Sequence, residues 1–253
     1  MQVLKTIEFA SSIQLVIAAL NEEQGIGLTI AEMKDTLGDI PTLVVDGKST
    51  DRTVELAKNM GATVLTQDGT GKGDALAKAL EHLDPNANNI ILTDADYTYP
   101  AEYVPDMLKI LDDNPQVGMV CGNRFNGNVD KKALYRMFHI GNKLLAFAHK
   151  TLNGVALEDP LTGLRVIRAD ILREWHIESK GFDVEVEMNN FVQKKGYITQ
   201  EIFINYRARL GEKKLKARHG ITILNRIIKD LLTGFYDKAK GRKVHVRIGR
   251  ELK

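Results

Sequence analysis

Asp94-Ala95-Asp96 stands directly after the apolar run Ile90-Ile91-Leu92-Thr93. The run has the composition of a buried strand, and the two carboxylates fall at its C-terminal lip. Where the chain turns at the strand end, both can converge on one divalent cation. Oxygen-only ligation suits Mg²⁺ or Mn²⁺, ions that commonly hold substrate phosphates. A solvated strand-to-loop turn would use the same residues, so the rest of the chain has to decide.

Three further groups bear on that choice. Gly71-Lys72-Gly73 lacks the Ser or Thr and the upstream spacing of a phosphate-binding P-loop. It still offers backbone N–H groups and a cation, which suit a diphosphate as well as a plain turn. Asp46 ends a strand and can accept hydrogen bonds from a base or ribose, or hold a turn. Arg124, Arg165, Arg207, Arg209, Lys213 and Lys214 form a basic set able to bind phosphate, with Arg acting bidentately and Lys as a point charge. Asp159, Glu185 and Glu187 are carboxylates that either supply a base or orient those arginines.

These residues need a scaffold, and its outline is regular over the first half. Short apolar runs at Ile13–Ala19, Pro41–Val45, Ala62–Leu65 and Ile90–Thr93 read as strands. The helical stretches between them end before Gly38, run over Thr53–Lys58 near Gly61, and cover Asp74–His82. This alternation predicts an α/β fold with a mostly parallel central sheet and polar loops at the strand C-termini. Asn21, Asp46, Lys72 and Asp94 all fall in such loops, the edge where open α/β sheets bind ligands. The second half is less regular, with strands predicted at Val117–Cys121, Leu164–Ile167 and Tyr197–Ile204. Long helices are predicted over Lys131–Leu152 and Ile221–Tyr236.

Both long helices are amphipathic. On the first, Leu134, Phe138, Leu145, Ala148 and Leu152 share one face, opposite Lys132, Arg136, His139, Lys143 and Lys150. On the second, Ile221, Leu224, Ile228, Leu231 and Phe235 form a stripe away from Arg226 and Lys229. Either helix can lie on a membrane surface or pack on the core with a basic outer face.

The 253 residues carry 43% hydrophobic and 27% charged side chains and a net charge of +2, a soluble globular composition. The positive charge concentrates after Lys213, which suits an anionic partner. Cys121 is the only cysteine, so neither an intrachain disulfide nor a thiolate metal site is available. No apolar run approaches the ~20 residues of a membrane span, and the first residues lack the build of a signal peptide. Any membrane contact is therefore expected to be peripheral.

In order, the strings Val16–Glu22, Val44–Asp51, Gly71–Ala75, Thr93–Asp96, Gly122–Phe125, Asp159–Arg165, Gly181–Met188 and Tyr206–Leu215 resemble the family 2 glycosyltransferases of GT-A fold. The likeness spans about residues 12–216 and is nearest to the dolichyl-phosphate and polyprenyl-phosphate sugar synthases. It implies a Rossmann-like catalytic domain over residues 1–216, with an amphipathic helix and basic tail over 217–253. The implied reaction is an inverting, metal-dependent transfer from a nucleotide sugar to dolichyl or polyprenyl phosphate, supplying lipid-linked sugar for glycan assembly such as protein N-glycosylation. UDP-glucose or UDP-N-acetylglucosamine is favoured as donor, with GDP-mannose next.

By the same resemblance, Ala18, Leu20, Asn21, Glu22, Asp46, Lys72, Asp74, Asp94, Ala95 and Asp96 would bind the nucleotide sugar, and Asp94 and Asp96 the metal, Mg²⁺ or Mn²⁺. Arg124, Arg136, Arg209 and Lys214 would meet the acceptor phosphate, and Asp94, Asp96, Asp159 and Arg124 would form the catalytic set. The expected location is the cytoplasmic face of a membrane, with no nucleic-acid partner; self-association stays open. Thr98 replaces a Gln common among relatives, Gly47 a second Asp, and Lys213 a Ser. Two other readings stand beside this one: a soluble transferase with a small hydroxyl or phosphorylated acceptor, for which Asp159 would be the general base, and a non-catalytic sugar-nucleotide-binding regulator.

Overall fold

The computed structural model describes residues 12–125, 133–212, 214 and 218–239. Its centre is a seven-stranded sheet ordered β3-β2-β1-β4-β6-β5-β7. The strands are β1 (Ile13–Ala19), β2 (Thr42–Asp46), β3 (Thr63–Thr66), β4 (Asn89–Asp94), β5 (Val117–Asn123), β6 (Arg165–Arg168) and β7 (Ile198–Phe203). The helices are α1 (Ile26–Leu37), α2 (Thr53–Asn59), α3 (Lys72–Leu80), α4 (Val104–Asp113), α5 (Ala133–Asn153), α6 (Ala169–Arg173), α7 (Val184–Lys194) and α8 (His219–Ala239).

Continuous apolar runs give strands covered on both faces. On β1, Leu15, Ile17 and Ala19 join one core with Ile26, Ile30 and Met33 of α1 and Met107, Leu108 and Leu111 of α4. Val16 points to the other core, with Ala75, Leu76 and Ala79 of α3 and Val184, Met188 and Val192 of α7. The alternation is the period of two that a strand imposes. Every predicted strand is present within a few residues. The sequence reading names no helix between Tyr97 and Val117, where α4 forms with Pro105 in its first turn.

All pairings are parallel except those of β6, which runs antiparallel to both β4 and β5. Arg165 at the start of β6 therefore lies beside Leu92 and Cys121, near the C-terminal ends of its neighbours. The loop that enters β6 thus arrives at the ligand-binding edge, bringing Asp159 and Gly163 to the loops that follow β4 and β5. In a wholly parallel sheet that loop would sit at the opposite edge.

The two long helices pack in a way their apolar residues alone do not predict. On α5, Asn142, Leu145, Ala146 and His149 face inward, whereas Ile140, Leu144 and Phe147 are 66%, 66% and 67% exposed. On α8, Ile223, Ile227 and Asp230 are buried, while Ile221, Leu224, Ile228 and Leu232 are exposed. Ile223 and Ile227 cluster with Leu145 of α5 and Val186 of α7. Of the stripe read on α8, Ile221, Leu224 and Ile228 face outward, Leu231 is half-buried, and Phe235 lies outside the residues whose side chains are described. The face read on α5 divides: Leu145 packs inward, Leu152 is exposed, and Leu134 and Phe138 lie outside the residues whose side chains are described. No helix among the described residues is long and apolar enough to cross a membrane.

Candidate active site

The loops after β1, β2 and β4 each contain one non-glycine residue with positive φ: Asn21 (49°), Lys48 (69°) and Tyr97 (63°). Such backbone is costly for a side chain other than Asn and concentrates where ligands bind. The loops hold one another in place. Asn21 Oδ1 accepts the Thr50 N–H at 2.8 Å, and the Asn21 N–H donates to Ser49 Oγ at 2.8 Å. Asp46 is buried and takes the turn role: its carboxylate accepts the N–H groups of Lys48 at 2.9 Å and Ser49 at 3.0 Å. Leu20 is exposed beside Gly47, Ala18 pairs in register with Asp94, and Asp74 holds the glycine loop by accepting the Gly69 N–H at 2.6 Å.

At the lip of β4, Lys72 Nζ lies 2.6 Å from Asp94 Oδ1 and 2.8 Å from Glu185 Oε1. Burial works against charge on both Lys72 and Asp94, but their neighbours together outweigh it: Lys72, Arg124 and Arg209 hold Asp94 below the usual carboxylate range, and Asp94 and Glu185 hold Lys72 above the usual ammonium range. Asp96 Oδ1 accepts the Thr98 hydroxyl at 2.6 Å, and Arg209 Nη1 donates to Asp96 Oδ2 at 2.7 Å. Burial and the neighbouring Asp94 charge raise Asp96. Arg209 also pairs with Glu22, which burial pushes up to about 7. Gly163 faces this cluster: a Cβ there would collide with the Asp94 carboxylate, so only glycine allows the close approach.

Arg124 forms a second centre. Its Nε and Nη2 bind Asp159 Oδ2 and Oδ1 at 2.6 and 2.7 Å, and its guanidinium lies 5.4 Å from the Tyr206 ring centroid. Asp159 is fully buried, and Asn142 Nδ2 of α5 donates to its Oδ1 at 3.3 Å. Glu201 on β7 accepts the N–H groups of Glu158 and Asp159 at 2.7 and 2.8 Å, fixing the loop that carries the clamp. Gly163, packed against Asp94, donates its N–H to the Tyr99 hydroxyl at 2.7 Å, and the Tyr99 ring lies 5.1 Å from Tyr206, over which Arg124 sits, so the two centres are neighbours. Lys214 reaches the Asn21 carbonyl at 3.3 Å.

Not every predicted cation joins them. Arg165 is a buried brace, bound to the Thr162 and Pro160 carbonyls at 3.0 and 2.9 Å and to Asn189 Oδ1. Arg207 binds Glu32 at 2.7 and 2.6 Å and lies over Tyr97. Arg136 is on α5, with its side chain outside the described set; Lys213 also lies outside it. Glu187 caps a loop, accepting the Glu178 and Ser179 N–H groups at 2.9 and 2.7 Å. Asn142 and Glu201 escape a sequence reading altogether, since nothing local marks their long-range partners.

The donor set fits a divalent cation of the Mg²⁺ or Mn²⁺ kind. Asp94 and Asp96 are hard oxygen donors at one lip, and no group of three or more acidic, His or Cys side chains converges among the described residues. Two protein carboxylates leave room for phosphate and water oxygens, the coordination such ions prefer.

Known proteins resemble this chain in sequence and in fold. The profile described as "Glycosyl transferase family 2" matches residues 14–175. A dolichyl-phosphate hexose transferase of Haloferax volcanii is 36% identical over 204 residues, covering 79% of this chain and 85% of that one. An undecaprenyl-phosphate mannosyltransferase of Micrococcus luteus is 28% identical over 216 residues, covering 79% and 86%. Among solved structures, glucosyl-3-phosphoglycerate synthase of Mycobacterium tuberculosis, with Mn²⁺, UDP-glucose and phosphoglyceric acid, superposes with a TM-score of 0.70 at 21% identity, covering 88% of this chain and 79% of that one. That likeness concerns the fold, which is GT-A, while the profile and the Haloferax relative identify the lineage: the chain belongs to glycosyl transferase family 2.

Proposed function

We propose that this family 2 glycosyltransferase moves a hexose, with inversion, from a nucleotide sugar to a polyprenyl or dolichyl phosphate at a membrane surface. One juxtaposition supports the reading: the Asp94–Lys72 lip reaches the Arg124–Asp159 clamp through Gly163, Tyr99 and Tyr206, and Asn142 ties that clamp to α5, whose other side exposes an apolar stripe. A lipid phosphate lying along that stripe would meet the arginines with its tail against Ile140, Leu144 and Phe147. Residues 1–216 are taken as the catalytic domain and 217–253 as an appended helix and tail.

In the proposed reaction an acceptor phosphate oxygen attacks the anomeric carbon. The new C–O bond forms as the bond to the nucleoside diphosphate breaks. A phosphate monoester is ionised near neutral pH, so positioning and charge control suffice. The full engagement of Asp159 by Arg124 and Asn142 supports an orienting role for it rather than that of a base. Asp94 and Asp96 would hold the divalent cation, which when bound stabilises charge on the departing diphosphate. Lys72, protonated between two carboxylates, supplies a fixed positive charge beside that group.

The test is a panel of radiolabelled UDP-glucose, UDP-N-acetylglucosamine and GDP-mannose with polyprenyl phosphate, alongside flotation on anionic vesicles. Transfer to lipid by one donor and co-flotation are the expected results. Turnover on a water-soluble acceptor without vesicle binding sinks the lipid reading, and donor binding without turnover on any acceptor points to the regulator.

A further inference from the structure

We propose that Arg209 and a divalent metal compete for the Asp96 carboxylate, and that the metal displaces the guanidinium toward the acceptor. The inference rests on the donor-metal reading above and adds an exclusive choice to it. Asp96 has no idle oxygen: Oδ1 accepts from the Thr98 hydroxyl at 2.6 Å, and Oδ2 accepts from Arg209 Nη1 at 2.7 Å. A metal bound through Oδ2 would place two cations on one oxygen, where their repulsion is strong.

The charge balance points the same way. Arg209 also pairs with Glu22, whose Oε2 is buried and finds no hydrogen-bond partner among the described residues. Asp96 and Glu22 are only 3% and 6% exposed. Removing the guanidinium with nothing in its place would strand two buried carboxylates. A divalent ion at Asp96 would replace the lost positive charge there, so departure of Arg209 is easiest as the metal arrives.

The backbone supports a side-chain swing. The Leu210 N–H donates to the Asp96 carbonyl at 3.2 Å, and the Arg207 N–H to the Thr98 carbonyl at 3.0 Å. The main chain around Arg209 is thereby pinned, while its side chain keeps 24% exposure and a route outward. The released guanidinium then serves the incoming phosphate, which orders binding: metal and nucleotide first, acceptor second.

The experiment titrates Mn²⁺ into the full chain by electron paramagnetic resonance, with UDP and separately with GDP, without acceptor. Arg209→Gln is expected to bind Mn²⁺ about tenfold more tightly than the parent, because a competing cation is gone. Lys214→Gln, whose ammonium sits on the Asn21 carbonyl instead, is expected to change affinity less than about threefold, the size of a long-range charge effect. Thermal melting confirms folding. Should Arg209→Gln fail to fold, Arg209→Lys, which cannot bridge both carboxylates, is expected to tighten binding by a smaller factor. Mn²⁺ affinity unchanged or weakened in the folded variant overturns the inference and leaves the donor-metal reading standing. No Mn²⁺ binding by the parent with either nucleotide overturns both.

Discussion

Along β1 the residues facing the two cores are Leu15, Val16 and Ile17, all nearly inaccessible. Along α5 the inward residues include Asn142 and His149, and the outward ones are Ile140, Leu144 and Phe147. The α8 helix repeats the inversion, with Asp230 inside and Ile221, Leu224 and Leu232 outside. The sheet spends its apolar residues on its own stability. The helix pair leaves part of its apolar surface exposed and holds together partly through a polar contact, Asn153 Nδ2 of α5 donating to the Ile227 carbonyl of α8 at 3.0 Å. Exposed apolar residues mark contact with a partner or membrane where they join into one patch.

The comparison can be broken in three ways. The largest effect belongs to the sheet edge. Asp94→Asn removes the charge facing Lys72 and is expected to lower transfer about 10³-fold, or about 4 kcal/mol of barrier. In the same assay with a detergent-solubilised short-chain acceptor, Leu144→Gln on the α5 stripe should lose less than about threefold. Equal losses would dissolve the distinction between reaction centre and docking surface.

Next comes folding stability. Leu15→Ala should cost about 2–5 kcal/mol in a denaturant titration, the range for a buried leucine. Leu144→Ala, at an exposed position, should stay within about 0.5 kcal/mol. A large cost at Leu144 would show that the stripe is covered within the chain.

The smallest effect tests the polar interior of the helix pair. Burial, reinforced by the Arg165 charge, lowers His149 to about 3, and its Nε2 has no hydrogen-bond partner among the described residues. The unfolded chain, with histidine near its ordinary value of about 6.5, binds the proton more readily, so stability falls as pH drops below that value. At pH 5 the cost is about 2 kcal/mol. His149→Leu should remove that component. Asp230, raised by burial to about 6, acts in the opposite sense between about pH 4 and 6, so the difference between variant and parent isolates the histidine. An unchanged pH dependence in His149→Leu would mean that the ring reaches water.

The strands and the donor lip were legible because their signals are local. Uninterrupted apolar runs mark buried strands, and Asp94, Asp96, Lys72 and Asn21 fall at their ends. The antiparallel β6 was not legible, since a strand as short as Arg165-Val166-Ile167-Arg168 carries no sign of its direction. Glu185 and Glu187 looked equally suited to a strand or a helix edge. On α7 both are buried because Lys72 and the 178–179 backbone, distant in sequence, satisfy them. Arg165 and Arg207 read as phosphate binders because a sequence shows charge without showing the carbonyls and carboxylate that occupy it. The outward stripe of α5 was missed for the same reason: a wheel finds an apolar face but not what covers it.

The reversed strand also sets an order of assembly. β4 pairs with β1 on one side and with residues 165–168 on the other, and β5 reaches β4 only through that strand. A chain emerging during synthesis is expected to expose that apolar edge until β6 slots in, a hazard for association with other nascent chains. The same event closes the loop bearing Asp159 and Gly163 onto the site. Recovery of activity on refolding should therefore track insertion of this one short strand rather than formation of the surrounding helices.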